Sequence, residues 1–395
     1  MNLDVPGLDS LGPIDGQCVI VRADFNVPVD DTGAITDDTR IRAALPTLRE
    51  LLERGAKPVV LVHFGRPKGQ VVESLRVGPI GERLGELLGS RVVTLKESIG
   101  EDVESAIDMA SVGTTVLCEN VRFHPGETKG DPELAAAFAR LGDFFVLDAF
   151  GAAHRDHASV SGIARLLPSA AGLLLQRECE AFRRVLDDPE RPLVAILGGA
   201  KVSDKLTVID SLLDRCDSIL VGGGMAYTFL AVQGHTIGNS LVEEDRMDVC
   251  REALAKAEAK GVELLLPVDH VTGDRFAPDA DVLVTGIDIP DGRMGLDIGP
   301  QTCELFAARI RAARTVVWNG PMGVFEMDSF RAGTEAVGRA LAECEGTTVV
   351  GGGDSVAAIH LLGLEDAVDH VSTGGGASLE LLEGKVLPGI AALGA

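Results

Sequence analysis

The chain has little of what marks secreted, membrane-bound or nucleic-acid-binding proteins. Its 395 residues include one tryptophan, one tyrosine and seven cysteines. The cysteines form no Cys-x-x-Cys pair and several lie inside apolar runs, which argues against a disulfide scaffold or a thiolate metal site and fits reduced, buried thiols. No apolar run approaches the roughly 18 residues that would suggest a membrane span. The start, Met1-Asn2-Leu3-Asp4, has no basic stretch leading into an apolar one, so no secretory leader is expected. Lysine is scarce, with nine in all, and the net charge is −24. So acidic a chain would repel phosphate backbones and anionic membrane surfaces. Repeats, heptads and low-complexity tracts are absent. These absences lead to the expectation of a soluble, cytoplasmic protein with neither nucleic acid nor membrane as a partner.

What is plentiful is glycine, at 47 residues, and it is concentrated after short apolar runs. Such runs read as buried parallel strands, and open α/β sheets bind ligands at the carboxyl ends of their strands. The two halves of the chain end their runs differently. In the first half Cys18–Val21 leads into Arg22-Ala23-Asp24-Phe25-Asn26, Pro58–Val62 into His63-Phe64-Gly65-Arg66, and Thr115–Cys118 into Glu119-Asn120-Val121-Arg122. Phe144–Leu147 leads on to His154, Arg155 and His157. In the second half the endings are glycine-rich: Gly198-Gly199, Gly222-Gly223-Gly224, Asn319-Gly320-Pro321, Gly351-Gly352-Gly353-Asp354-Ser355 and Gly374-Gly375-Gly376. One half is built for a small anion, the other for a nucleotide.

Helical patterns alternate with these runs, the signature of parallel sheets covered by helices, and the length suits two domains. Thr39–Arg54 reads as a helix despite Pro46, which should kink it or delay its regular part. Val77–Leu88, Asp131–Leu141, Glu243–Lys260, Pro300–Ala313 and Phe330–Cys344 read likewise. Gly172–Asp187 is a long amphipathic pattern followed by the breaker Asp187-Asp188-Pro189-Glu190-Arg191-Pro192, which places a domain boundary there.

Each constellation has its own chemistry. Arginine's planar fork suits phosphate and carboxylate, so Arg40, Arg66, Arg122 and Arg155 with His63 form a candidate anion site. Asp24 and Asn26 are placed to accept from substrate hydroxyls or to orient an arginine. Arg22 alone reads as a surface ion pair, and His154 and His157 as packing or supporting groups. In the second half a strand, a glycine turn and a helix aim backbone N–H groups at phosphate. Asp354 suits either a helix cap or a Mg²⁺ bridging phosphates. Lys201 and Lys205, four apart, would share one face of a helix with an anion between them. Glu326 lies within reach of ribose hydroxyls if its loop folds over the nucleotide, and Trp318 reads as core. Neither a Walker A sequence nor protein-kinase motifs are present.

Taken in order, Arg22–Pro28 (RADFNVP), His63–Gly69 (HFGRPKG), Glu119–Glu127 (ENVRFHPGE), Asp148–Ser159 (DAFGAAHRDHAS), Gly198–Lys205 (GGAKVSDK), Gly222–Phe229 (GGGMAYTF), Gly295–Thr302 (GLDIGPQT), Trp318–Glu326 (WNGPMGVFE), Gly351–Ser355 and Ser372–Glu380 (STGGGASLE) resemble the phosphoglycerate kinase family over nearly the whole chain. Ala23 and Phe64 depart from its pattern and touch no implied ligand. The resemblance implies two Rossmann-like three-layer αβα domains with parallel sheets, joined by a hinge helix. The first would be residues 1–171 with a returning tail, 381–395, binding 3-phosphoglycerate. The helix would be 172–187 and the nucleotide domain 188–380. Asp24, Asn26, Arg40, His63, Arg66, Arg122 and Arg155 would bind 3-phosphoglycerate or 1,3-bisphosphoglycerate. Lys205, Gly222, Gly223, Gly295, Asn319, Glu326, Gly352, Gly353, Asp354 and Ser355 would hold Mg-ADP or Mg-ATP, with Asp354 the metal ligand. Arg40, Lys201, Lys205 and Asp354 would be catalytic. A monomer working in glycolysis by domain closure is implied as well.

Two other classes are compatible with parts of the pattern. A kinase with a plain carboxylate acceptor would not need so many arginines. A binding or scaffold protein that had lost turnover would be expected to lack one of Arg40, Lys201, Lys205 or Asp354, and all four are present.

Overall fold

The computed structural model describes residues 3–394; residues 1, 2 and 395, part of the expected first domain and its tail, lie outside the described residues. The chain divides into two compact units. One runs to Glu180 and resumes at Val386, and the other is Ala181–Lys385.

The first unit is built on six strands: β1 (Cys18–Ala23), β2 (Lys57–Leu61), β3 (Val92–Thr94), β4 (Thr115–Leu117), β5 (Phe144–Asp148) and β6 (Ser169–Ala171). They pair in the order β3-β4-β2-β1-β5-β6, every pair parallel. β1 is buried at all six positions, as a central strand covered on both faces must be, and each Val or Ile there contributes about 1.5–3 kcal/mol by leaving water. The sheet is flanked by α1 (Thr39–Glu53), α2 (Gly78–Leu88), α3 (Glu101–Asp108) and α4 (Pro132–Ala139). α4 begins as its sequence dictates, with Pro132 in its first turn and the Asp131 carboxylate accepting from the N–H groups of Glu133 and Leu134 at 2.9 and 3.3 Å. α1 is helical from Thr39 with Pro46 inside it, so proline does not postpone the helix and Arg40 lies in the first turn.

α5 (Leu173–Leu186) runs from this unit into the next. Its first turn is closed by a residue of the sheet: Asp148, at the end of β5, accepts from the N–H groups of Leu174 and Leu175 at 3.0 and 3.3 Å. Asp148 is fully buried, and burial pushes its carboxyl up to about 7.

The second unit carries β7 (Leu193–Leu197), β8 (Ser218–Val221), β9 (Glu263–Leu265), β13 (Thr315–Asn319), β14 (Thr347–Gly351) and β15 (His370–Val371), in the order β15-β14-β13-β7-β8-β9 and again all parallel. Helices α6 (Leu206–Leu212), α7 (Met225–Val232), α8 (Met247–Lys260), α9 (Pro300–Ala312), α10 (Ala332–Ala342), α11 (Gly353–Leu362) and α12 (Gly375–Leu382) accompany it. Trp318 is fully buried among Val316, Phe306 and Ile310, and its indole N–H donates to Gly320 O at 2.7 Å, so it is core.

One element departs from the all-parallel expectation. β10 (Asp269–Gly273), β11 (Val282–Gly286) and β12 (Met294–Ile298) form a separate antiparallel sheet in the order β11-β10-β12. Buried Asp269 binds it to the helical layer, accepting from the N–H groups of Gln301 and Thr302 at 2.9 and 2.8 Å at the start of α9. The last helix, α13 (Pro388–Leu393), belongs to the first unit, where Gly389 N–H donates to Ala153 O at 2.8 Å.

Candidate active site

In both units the strand order reverses direction at the centre, and a crevice opens at the carboxyl ends of the strands that flank the reversal. In the first unit these are β1 and β5, and their endings, with those of β2 and β4, carry most of the expected anion site. Asp24 Oδ2 accepts from Arg40 at 2.5 Å. Asn26 Oδ1 accepts from Gly65 N–H at 2.8 Å, and Arg122 donates to Gly65 O at 2.8 Å. The loop after β2 is thus held from β1 and from β4 at a single residue. Arg66, Arg122 and Arg155 line a cavity of about 530 Å³ together with Lys68, Lys129, His124 and His157. The buried Nε of Arg122 has no partner among the described residues.

The arginines converge closely enough to act on one another. Burial first, then the charges of Arg155 and Arg22, bring the Arg122 guanidinium down to about 10. His63 is 6% exposed, and its pKa is held well below the usual imidazole value by burial and by Arg22, Arg122, Arg155 and Arg40, in that order. Positive charges gathered this closely, one of them fully buried and the others half-buried, repel one another unless an anion shares the crevice.

Arg22 overturns its reading as a surface ion pair. It is 1% exposed, and its Nε donates to Ser159 Oγ at 2.9 Å. Lys68 and Lys129 were not singled out either. Lys68 stands two residues beyond Arg66 and is the one described non-glycine residue with a left-handed backbone, at φ 57°.

In the second unit the reversal lies between β7 and β13, and the glycine loops there are bonded to one another through their main chains. Gly198 N–H donates to Asn319 O, Gly199 N–H to Pro321 O and Gly223 N–H to Met322 O, at 3.0–3.1 Å. Gly223 has φ +68°, and a Cβ there would lie 2.6 Å from Gly199 O, so no other residue fits. These amides are committed to the protein and do not serve as donors to phosphate. The first turn of α11 adds N–H groups at Gly353, Asp354 and Ser355, which have no partners within the helix and so suit a phosphate. The Ser355 hydroxyl is engaged, accepting from Gly320 N–H at 2.5 Å.

A cavity of about 500 Å³ lies over these loops. Its floor is Gly199, Ala200, Gly223 and Gly224, and one wall is apolar, with Leu241, Phe276, Met294 and Val324. Tyr227 and Gly295 are in contact there, and Glu326 and Asp354 bring carboxylates to the rim. The loop of Glu326 is tied to β12 by Val324 N–H donating to Leu296 O at 2.9 Å. Lys205 Nζ donates to Asn319 Oδ1. Burial lowers its pKa to about 8, against the opposing influence of Asp354, Asp204 and Glu383. Asn319 Nδ2 is buried and has no partner among the described residues. A Cβ on Gly352, which has φ +91°, would lie 2.9 Å from that nitrogen.

Lys201 and Lys205 do not share a helix face. Lys201 is extended and exposed, residues 202–204 form a 3-10 turn, and Lys205 is the residue before α6. Lys201 acts weakly on Glu243, whose carboxylate is held mainly by Ser203. Leu241, Phe276 and Met294 were also not foreseen; two of them flank or belong to the antiparallel insertion, and none bears a charge or motif. Among the described residues no three His, Cys, Asp or Glu side chains are grouped to hold a metal unaided, and no helix is long and apolar enough to cross a membrane.

Comparison with known proteins places the chain among relatives matched along nearly its whole length. The family model for phosphoglycerate kinase matches residues 8–385. The phosphoglycerate kinase of Synechococcus elongatus is 56% identical over 385 residues, 96% of each chain, and that of a Nostoc species is 54% identical over 389 residues, 97% of each. Among solved structures, phosphoglycerate kinase from Coxiella burnetii superposes with a TM-score of 0.91 at 40% identity over 99% of both chains. That from Pyrococcus horikoshii gives 0.83 at 32% identity over 98% of both. Two parallel-sheet units, a basic crevice in one, a glycine-floored cavity in the other and a match along nearly the full length have one explanation: the chain belongs to the phosphoglycerate kinase family.

Proposed function

We propose that the protein catalyses reversible, Mg²⁺-dependent phosphoryl transfer between 1,3-bisphosphoglycerate and ADP, yielding 3-phosphoglycerate and ATP. The observation that carries this is the division of chemistry between the units. One crevice gathers Arg40, Arg122 and Arg155 around His63, with Arg66 lining the cavity beside Arg122 and Arg155, and the other cavity pairs a main-chain floor with an apolar wall and an acidic rim. The first suits a small molecule with a phosphate and a carboxylate, the second a purine nucleotide.

The residues divide the work accordingly. Arg66, Arg122 and Arg155 hold the phosphate of the glycerate, while Asp24, Asn26 and His63 orient its remaining oxygens. The first turn of α11 receives nucleotide phosphates, Glu326 reaches the ribose, and Gly222, Gly223 and Gly295 let the base approach main chain. Asp354 fits a Mg²⁺ ligand: it is exposed, on the cavity rim and in the first turn of α11, and Mg²⁺ is commonly held by one or two carboxylates with phosphate oxygens completing its shell. Bound there, the ion supplies charge neutralisation across the phosphates.

A carboxylate acceptor is already ionised, so no general base is needed, and positioning with charge stabilisation suffices for an in-line transfer. Arg40, held by Asp24, and Lys205, held by Asn319, are the cations we assign to the moving phosphoryl group, with Lys201 as a third. The transfer requires the two bound ends to meet, so domain closure belongs to the proposal. So does a monomer acting in the cytoplasm.

ADP release from Mg-ATP, measured with and without 3-phosphoglycerate, tests the assignment. Turnover that depends on 3-phosphoglycerate supports it. Nucleotide binding without such turnover would overturn the acceptor.

A further inference from the structure

Arg22 is the only lysine or arginine that is buried among the described residues. Each of its three guanidinium nitrogens has a partner. Nε donates to Ser159 Oγ at 2.9 Å, one terminal nitrogen to Ala23 O, and the other to His63 Nδ1 at 3.0 Å. A buried guanidinium needs a counter-charge that shares its burial, and Glu127 provides it one residue further along the chain of bonds. Glu127 is fully buried; its Oε1 accepts from Ser159 Oγ at 2.6 Å and its Oε2 from Ser159 N–H at 3.0 Å. The direction of every bond is forced, because a guanidinium has no acceptor and a carboxylate no donor. The Ser159 hydroxyl therefore takes the arginine proton on its lone pair and gives its own proton to Glu127.

The same rule settles the imidazole. Arg22 can only donate, so His63 Nδ1 must present a lone pair, and the single proton of the neutral ring sits on Nε2. Asp24 Oδ1 is 3.8 Å from Nδ1, too far for a hydrogen bond and useful to that nitrogen only if it were protonated. The charged groups facing the ring are Arg22 on β1, Asp24 after it, Arg40 on α1, Arg122 after β4 and Arg155 after β5. Four arginines and one carboxylate leave no incentive for a fifth positive charge.

We propose that Arg22, oriented by Ser159 and Glu127, is a positioning residue that locks His63 as the neutral Nε2–H tautomer, so that the ring meets the glycerate as an uncharged, directional donor. The proposal rests on the placement of 3-phosphoglycerate in this unit. The surrounding arginines supply attraction; the locked ring supplies direction, toward one substrate oxygen.

The tautomer is read in the full chain labelled with ¹⁵N-histidine, where long-range ¹H–¹⁵N correlations distinguish a protonated ring nitrogen from a bare one. The His63 signal is assigned as the one lost in His63→Ala. The wild-type ring should carry its proton on Nε2 throughout about pH 5.5–8.5. Arg22→Met should release the lock, shifting population to the Nδ1–H form facing Asp24. It should also lower kcat/KM for 3-phosphoglycerate roughly tenfold or more while leaving the KM for ATP in place, the scale of one misdirected hydrogen bond to a charged group. Arg22→Lys, which keeps a donor, should recover part of both. On the His63→Ala background, Arg22→Met should add little, because its effect runs through the ring. If Arg22→Met does not fold, Ser159→Ala keeps the arginine and should show a mixed tautomer with a smaller loss.

A wild-type ring protonated on Nδ1, or charged at neutral pH, overturns the proposal. So does a loss from Arg22→Met that persists in full on the His63→Ala background. If His63→Ala leaves 3-phosphoglycerate kinetics unchanged while the spectrum shows Nε2–H, the substrate placement fails and the proposed role of the tautomer fails with it.

Discussion

Lys205 and Asn319, 114 residues apart in sequence, meet at the reversal of the second sheet, where the lysine ammonium donates to the amide oxygen. The bond aligns a cation with the strand ends and uses the acceptor of Asn319, so that its buried Nδ2 is the donor left for a ligand. Both atoms lie beside Gly352 and the first turn of α11. Removing the cation should act on the reaction itself. Lys205→Ala is expected to lower kcat by roughly 10²–10⁵, the range for losing a preorganised charge in phosphoryl transfer. Steady-state kinetics near wild type would remove Lys205 from the reaction.

The lowered pKa of Lys205, about 8, has a calorimetric consequence. Burial disfavours its charged form, and a polyphosphate bound beside it favours that form. Nucleotide binding should therefore draw a proton from solvent: about half a proton at pH 8, more at pH 9 and almost none at pH 6.5. Titration calorimetry in buffers of different ionisation enthalpy measures the uptake. A value independent of pH in wild type, or unchanged in Lys205→Met, would contradict the linkage.

Arg122 has an unpartnered Nε and is crowded by Arg155 and Arg22. Arg122→Ala should raise the KM for 3-phosphoglycerate roughly tenfold or more, as expected for losing a charge-assisted pair, with the KM for ATP little changed. The reverse order would mean that the two substrates are assigned to the wrong units.

Asp148 offers a test of stability. Its carboxyl is raised to about 7 in the folded chain, above the roughly 3.9 of an unfolded aspartate. The native state therefore holds a proton that the unfolded state has released between about pH 4 and 7, and stability falls as pH rises through that window before levelling off above it. Asp148→Asn keeps an oxygen for the Leu174 and Leu175 amides and cannot ionise. Relative to wild type it should gain about 1–3 kcal/mol between pH 5 and pH 7. Urea unfolding at the two pH values decides it; a constant difference would show that Asp148 keeps its ordinary titration.

Much of this could be read from the sequence because strand ends announce themselves. A buried strand such as Phe144–Asp148 is a short apolar run, and where it stops the chain must turn, so basic and glycine-rich residues after such runs mark both crevices. Trp318 was legible for the same reason. Arg22 was not, because its partners Ser159 and Glu127 lie more than 100 residues away and a lone arginine after a strand usually reaches solvent. The lysine pair failed as a helical pair because the intervening Val202–Asp204 forms a 3-10 turn. Leu241, Phe276 and Met294 gave no signal because an apolar wall has no residue chemistry of its own, and two of them flank or belong to an antiparallel insertion that breaks the alternation of strand and helix.

The mutual bonding of the glycine loops bears on how nucleotide preference can change. Gly198, Gly199 and Gly223 spend their amides on neighbouring carbonyls, so the floor of the cavity is one continuous piece of main chain. Main chain looks the same whichever side chains surround it. A substitution there can break the floor but cannot retune it, and any inherited or engineered shift between purine and other bases has to be made in the wall, at Leu241, Phe276, Met294 and Val324.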